Sequence, residues 1–425
     1  MRCSVQRTSS RSFVAARERA RALSCTSLRE AIVSANAISG GTITFNIPTN
    51  QMIGGVWTIQ LASALPDLTT NVTITGSGLA VTLSGLTIRD GLSAAGSGGI
   101  SSSGALTLLD CVVAGNQGVL GGGGGLSFSD GTFTRCTLAS NTASVQGGGI
   151  NFQGNGGHTL TLVNCTVSDN RANGSGYGGG ILNVSTAGNS TLQLMHCTIA
   201  SNTSASGVNG GGIAGLGLTG GTTTTFLAHT IVAQNTAPNL SIRSAAAVTS
   251  QGYNLPSDNG GGFLTQPGDQ VNTDPLLGPL QNNGGPTFTQ ALLGGSPAID
   301  QGKALGFTTD QRGLLRPADF PGIPNASGGD GSDGSDIGAF ESQVTVGSSP
   351  LSLTGPQKLG NGAFQFAFTN TPGASFTIFT ATNLALPLSN WTVLGVPAEI
   401  TSDHFQFTDP QATNRPQGFY RVRSP

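Results

Sequence analysis

Acidic residues are scarce where catalysis would need them. Between residues 91 and 240 the chain carries Asp110, Asp130 and Asp169 and no other carboxylate. Glycoside hydrolysis takes two carboxylates about 5 to 10 Å apart across the bond being cut. Elimination on a uronate takes carboxylates to hold calcium and a basic residue to remove the proton. Asp110 directly precedes Cys111, Asp130 stands in a Ser-Asp-Gly turn, and Asp169 directly precedes Asn170. These are different phases of a repeat, so the three form no constellation. His158 lies in a polar loop. His196 and His229 sit beside the cysteine positions on an outward phase, where a pair one repeat apart could share a metal, although plain surface positions are the simpler reading.

Two further clusters lie towards the C-terminal side. Asp330, Asp333 and Asp336 stand in a glycine-rich acidic loop and are candidate calcium ligands, without the one-three-five spacing of a helix-loop-helix site. The competing reading is a solvated acidic turn. Asp310, Arg312 and Arg316 could act as a catalytic cluster, but the spacing fits better an ion-pair staple that closes the solenoid. No nucleophile elbow, phosphate loop or Cys-x-x-Cys pair is present. The expectation is a chain with no catalytic residue and no organic cofactor, with calcium as the one candidate ion.

These residues hang on a repeated phrase. A glycine run closed by an aliphatic residue, as in Gly147-Gly148-Gly149-Ile150, is followed by a strand with cysteine and then asparagine five residues on. The pairs are Cys111 and Asn116, Cys136 and Asn141, Cys165 and Asn170, Cys197 and Asn202. A last copy puts His229 or Thr230 at the cysteine position before Asn235, with one residue added. Glycine clusters precede Ile100, Leu126, Ile150, Ile181 and Ile213, and this bounded, variable period marks a stacked coil. Cysteine would fill a narrow core as a small apolar residue, asparagine would turn a corner and stack, and glycine would let coils approach. About six coils run from Leu86 to Asn235.

The fold class expected is all-β: a right-handed parallel β-helix with an N-terminal capping helix, followed by a small antiparallel β-sandwich. The helix rests on Ser27 and Glu30 as a capping box ahead of Leu28, Ile32 and Ala35. The sandwich rests on alternating Phe364, Phe366 and Phe368, and Phe405 and Phe407, beyond the linker at 346 to 350. The chain of 425 residues has 66 glycines and 9% charged residues, which excludes an ordinary helical enzyme. Its formal charge is −2, and six of its 18 basic residues are arginines in the first 21 positions. No later basic patch exists to hold nucleic acid or an anionic membrane surface. No apolar run reaches membrane-spanning length.

The segment from Cys25 to Ala31, with Asn36 after it, resembles the CSLREA N-terminal domain of bacterial surface β-helix proteins, with Thr26 interposed. The motifs from Asp274-Pro275 through Asn282-Asn283-Gly284-Gly285 and Ser296-Pro297-Ala298-Ile299-Asp300 to Asp310-Gln311-Arg312-Gly313, Arg316-Pro317 and Asp336-Ile337-Gly338-Ala339-Phe340-Glu341 resemble a choice-of-anchor Q domain. The C-terminal residues resemble a module of secreted planctomycete and verrucomicrobial proteins. The resemblance implies a pectin-lyase-like fold and display outside the cell. The domains expected are 1–24, disordered or mis-started; 25–85, cap and first coils; 86–272, β-helix repeats; 273–345, the end of the solenoid; and 346–425, the sandwich. No secretory signal is visible in 1–24, which points to a misplaced start. The function expected is non-enzymatic adhesion, glycan contact or envelope structure by a monomer, with polysaccharide or envelope components as partners; the alternative is a polysaccharide lyase or glycoside hydrolase.

Overall fold

The structure is a computed structural model. It describes residues 81–423 except 95, 120–121, 128, 175, 208, 237, 321, 327–331, 344–352, 371–375, 385, 387–389, 402–403 and 416. Before residue 81 it describes only the backbone of Arg2–Gln6, Leu23–Cys25, Gly41–Asn46, Trp57–Thr58, Val72–Thr75 and Ala80. The chain divides into two compact units, Met1–Gln343 and Val344–Pro425.

The first unit is a right-handed parallel β-helix whose coils stack four sheets. The first sheet has eight strands, from Trp57–Thr58 to Ala246–Ser250, and the second has seven, from Thr87–Arg89 to Leu255–Pro256. The third has five two-residue strands, from Leu92–Ser93 to Thr203–Ser204, and the fourth has six, from Ile100–Ser102 to Leu240–Arg243. Every neighbouring pair in these sheets is parallel and in register, as in Thr137↔Thr166↔Thr198↔Ile231 of the second. Rungs are therefore about 4.8 Å apart.

Alternation of side chains drives the coil shut. Leu106, Leu108, Phe133, Leu160, Leu162, Leu192 and Leu194 of the first sheet point inward and meet Val113, Leu138, Val167 and Ile199 of the second. Ile150, Ile181 and Ile213 of the fourth close the core. Leu264, beyond the last coil, joins the same cluster and covers its C-terminal end. The outer face of the fourth sheet is also buried, with Leu182, Val184, Ala214 and Leu216 packed beside Tyr177.

Two tight corners hold the coils in phase. At the corner between first and second sheets, Asp110, Arg135, Asn164, His196 and His229 are left-handed, with φ from 49° to 54°. The residue after each is Cys111, Cys136, Cys165, Cys197 and Thr230, and all five are fully buried. At the corner between second and third sheets, Gly115, Ser140, Asp169, Ser201 and Gln234 are left-handed. The positive φ thus falls one residue before asparagine rather than on it, because the asparagine side chain turns inward. Each amide donates to the next rung: Asn116 to Asn141, Asn141 to Asn170, Asn170 to Asn202 and Asn202 to Asn235, all at 2.9 Å.

Several expectations are corrected by register. Thr230 occupies the cysteine position of the last copy, so the five-residue offset to Asn235 is kept and no residue is added. Gly125, not Leu126, pairs with Ile100 and Ile150. Arg2–Gln6 pairs antiparallel with Leu23–Cys25 and with Gly41–Asn46, and the rest of residues 1–24 lies outside the described residues. The capping helix expected at residues 27 to 36 lies outside the described residues.

The segment after residue 273 does not prolong the solenoid as further coils. It forms one hairpin, Leu277–Gln281 with Thr289–Leu292, and lies back along the second sheet. Lys303 meets His229, Phe307 meets His196, Thr309 meets Asn164, and Gln311 meets Cys136 and Thr137. The arm thus runs back up the rungs. It does so because the outer face of the second sheet offers a column of hydroxyls, Thr137, Thr166 and Thr198, each bonded to the arm.

The second unit is a β-sandwich. One sheet has the order Thr354–Lys358, Phe364–Thr369, His404–Asp409, Ala398–Thr401, and the other Thr392–Gly395, Thr377–Ala381, Phe419–Arg423, all antiparallel. Phe366, Phe368, Phe376, Ile378 and Phe405 form its core.

Candidate functional site

The three solenoid carboxylates end up apart, each with its own partner. Asp110 makes a two-point ion pair with Arg135 on the next rung, at 2.8 Å for both bonds. Asp130 accepts from the backbone of Thr159 and faces half-buried His158 at 3.4 Å. Asp169 is exposed and accepts from the Ser168 hydroxyl at 2.7 Å.

His196 and His229 are not surface residues. The arm buries both, and their rings stack at 5.0 Å between Phe307 on one side and Tyr253 on the other. Burial holds the His196 imidazole well below its ordinary pKa, with Arg316 and His229 adding to the effect. Among the described residues no three His, Cys, Asp or Glu side chains converge as a metal site. Cys111, Cys136, Cys165 and Cys197 are free thiols, and burial pushes Cys136 and Cys165 well above the ordinary range. They are inert core residues, since reactive cysteines are exposed thiolates.

Asp310, Arg312 and Arg316 belong to a buried network inside the arm. Arg312 pairs with Asp310 at 2.7 Å and lies 3.6 Å over the Phe340 ring. Arg316 pairs with Glu341 at 2.8 Å and donates to Asn164 Oδ1 at 3.0 Å and to the Gly338 carbonyl at 2.8 Å. Glu341 accepts from the Asp336 backbone, and Asp336 from that of Asp300. Burial pushes Glu341 up to about 7 and Asp336 and Asp300 up to about 6. Sealed from solvent, these groups hold the arm and have no route to a substrate.

The acidic-loop candidates divide. Asp330 lies outside the described residues. Asp333 accepts from Ala304 N and from Ser335, while Asp336 turns into the buried network beside Glu341.

Between the arm and the second sheet runs a groove of about 920 Å³, within the range of ligand sites. Its floor is the outer face of the sheet, Thr87, Arg89, Val112, Ala114, Thr137 and Ala139. One side is the asparagine corner, where Ser140, Asp169, Ser201 and Gln234 project; the other is the hairpin, with Pro279, Leu280, Pro286, Phe288 and Gln290. From the rung of Arg89 to that of Gln234 is five rung spacings, or about 24 Å. Among the described residues of the lining the only charges are Arg89 and Asp169. They stand three rungs, about 14 Å, apart, and Arg89 lies 3.6 Å from Asp90. Sequence reading missed this groove because its hairpin wall comes from residues more than a hundred positions away from its floor.

Fold and groove define a right-handed parallel β-helix with a lateral arm. Compared with protein-family models, with curated proteins and with solved structures, the chain matches none. Among the described residues no helix is long and apolar enough to cross a membrane.

Proposed function

We propose that this is a secreted or surface-displayed bacterial β-helix protein that binds polysaccharide or envelope material without transforming it. The observation that carries the reading is the groove: one carboxylate and one arginine three rungs apart cannot hold a bond between them. The stronger acid and base groups are consumed in the arm's network. The resemblance of residues 25 to 36 to a CSLREA domain, and of 274 to 341 to a choice-of-anchor Q domain, supports display at the cell surface. On this reading the fold needs no ion, since the Asp333 and Asp336 carboxylates serve as acceptors for backbone N–H groups.

The test is incubation of the purified full chain with pectin, alginate and neutral glycans, following new reducing ends and unsaturated uronates. No cleavage is expected. Cleavage that disappears in Asp169→Asn would establish the lyase or hydrolase reading instead.

A further inference from the structure

The lining of the groove is uneven in a way that selects a ligand. Val112, Ala114 and Ala139 on the floor and Pro279, Leu280, Pro286 and Phe288 on the hairpin are apolar, and Phe288 is 49% exposed although it stands on an inner wall. Hydroxyls and an amide stand at the corner rim, Ser140, Ser201 and Gln234. Its 920 Å³ are spread along about 24 Å of rungs, so the groove is elongated and suits an extended chain.

An extended peptide would bring a backbone N–H and C=O at every residue, and each needs a partner when buried. The backbone of the sheet is spent between rungs, as in Thr137 N to the Cys111 carbonyl and Thr166 N to the Cys136 carbonyl. A sugar ring instead presents apolar faces and a polar rim, which matches apolar walls bounded by hydroxyls and an amide. A polyuronate would place a negative charge on each ring and would need a cation at each rung; among the described residues of the lining Arg89, at one end, is the only cation. A polycation would need carboxylates, and Asp169 stands alone.

We infer that the groove holds a single uncharged oligosaccharide lying along the solenoid axis, with a ring face against Phe288 and its hydroxyls at Ser140, Ser201 and Gln234. This rests on the reading that the protein binds glycans without cutting them. It adds the site, the direction and the charge class.

The experiment is calorimetric titration of the full chain with neutral glucan, xylan and mannan oligosaccharides and with oligogalacturonate. Variants are Phe288→Ala, Ser140→Trp at the exposed rim, and Thr132→Trp on the outer face of the first sheet, with melting temperatures checked for each. Expected are binding of at least one neutral oligosaccharide, a loss of tenfold or more in Phe288→Ala, no measurable binding in Ser140→Trp, and no change in Thr132→Trp. Tighter binding of oligogalacturonate, absence of all neutral binding, or binding indifferent to both groove variants would overturn the inference. Glycan binding indifferent to the groove variants leaves the non-catalytic reading standing, whereas cleavage of any titrant defeats that reading and not the location of the site.

Discussion

Arg316 Nη1 donates to Asn164 Oδ1 at 3.0 Å, joining the arm to the corner of a coil 152 residues earlier. Its other nitrogens hold Glu341 and the Gly338 carbonyl, so one guanidinium fixes three segments. Arg316→Ala leaves Glu341 and Asn164 without this donor in a closed site, and losing one partner of a buried pair costs about 3 to 5 kcal/mol. Lysine should not rescue it, because a single ammonium cannot reproduce a three-way planar fork. The expected result is faster trypsin cleavage within 273–343, read by mass spectrometry, while the solenoid fragment persists. Uniform loss of the whole chain instead would show that arm and coils unfold as one.

The asparagine ladder gives a second stability prediction. Asn170 Oδ1 accepts from both the backbone N and the side-chain Nδ2 of Asn141, and its own Nδ2 donates to Asn202 and to the Leu138 carbonyl. Asn170→Leu keeps the branch point and heavy-atom count, adds bulk at the two methyls, and strands those groups inside the coil. At about 1 to 3 kcal/mol for each unsatisfied buried group, a loss of at least about 3 kcal/mol is expected in urea denaturation. An unchanged midpoint would mean that the ladder is decoration.

How much of this could be read from residues alone depends on whether the governing contact was local. Cysteine and asparagine at a fixed offset disclosed the coil, because both corners are two-residue events repeated at every rung. The left-handed residue at the corner was misplaced by one position, since asparagine is the usual occupant of that conformation and here Ser140, Asp169 and Ser201 adopt it while asparagine points inward. His196 looked outward and is outward of its own coil; only the arm, returning from residue 307, buries it. The groove is invisible for the same reason: its floor is legible as alternating second-sheet residues, but nothing local announces that Phe288 will stand over Thr137.

Glycines that look alike in the sequence should respond in opposite ways. A Cβ on Gly148 would lie 2.2 Å from the Gly179 carbonyl oxygen and 2.5 Å from the Arg171 backbone, so Gly148→Ala must push rungs apart. A Cβ on Gly125 meets nothing closer than 4.0 Å, and Gly125 lines a small void beside Ile100, Phe133 and Ile150. Gly125→Ala is expected to stabilise by about 0.4 to 1 kcal/mol, because it narrows the unfolded ensemble without strain. Thermal melts of the two variants should move to opposite sides of the parent. If both fall, the void at Gly125 is not usable space.

The buried titratable groups predict a pH profile with two opposed parts. Glu341 is pushed up to about 7 and Asp336 to about 6, by burial first, so the native chain holds protons that the unfolded chain has released. Their contribution is fully present below about pH 4 and is lost as pH rises through 6 to 7. His196 is shifted the other way, well below its ordinary 6.5. Its contribution is present above pH 6.5 and is lost as pH falls below that value, because the unfolded imidazole takes a proton that the buried one refuses. Between pH 4.5 and 6.5 the slopes oppose, but three raised carboxylates, Asp300 included, outnumber the one imidazole, so the parent protein should melt at a lower temperature as pH rises across this window. Glu341→Gln cannot titrate, so its melting temperature relative to the parent should rise from pH 5 to pH 8, whatever the constant offset from weakening the Arg316 pair. His196→Phe keeps the stack with His229 and should gain on the parent as pH falls from 7 to 5. Melting curves followed by circular dichroism across this range would show it; variant curves parallel to the parent would mean that these groups do not change protonation on unfolding.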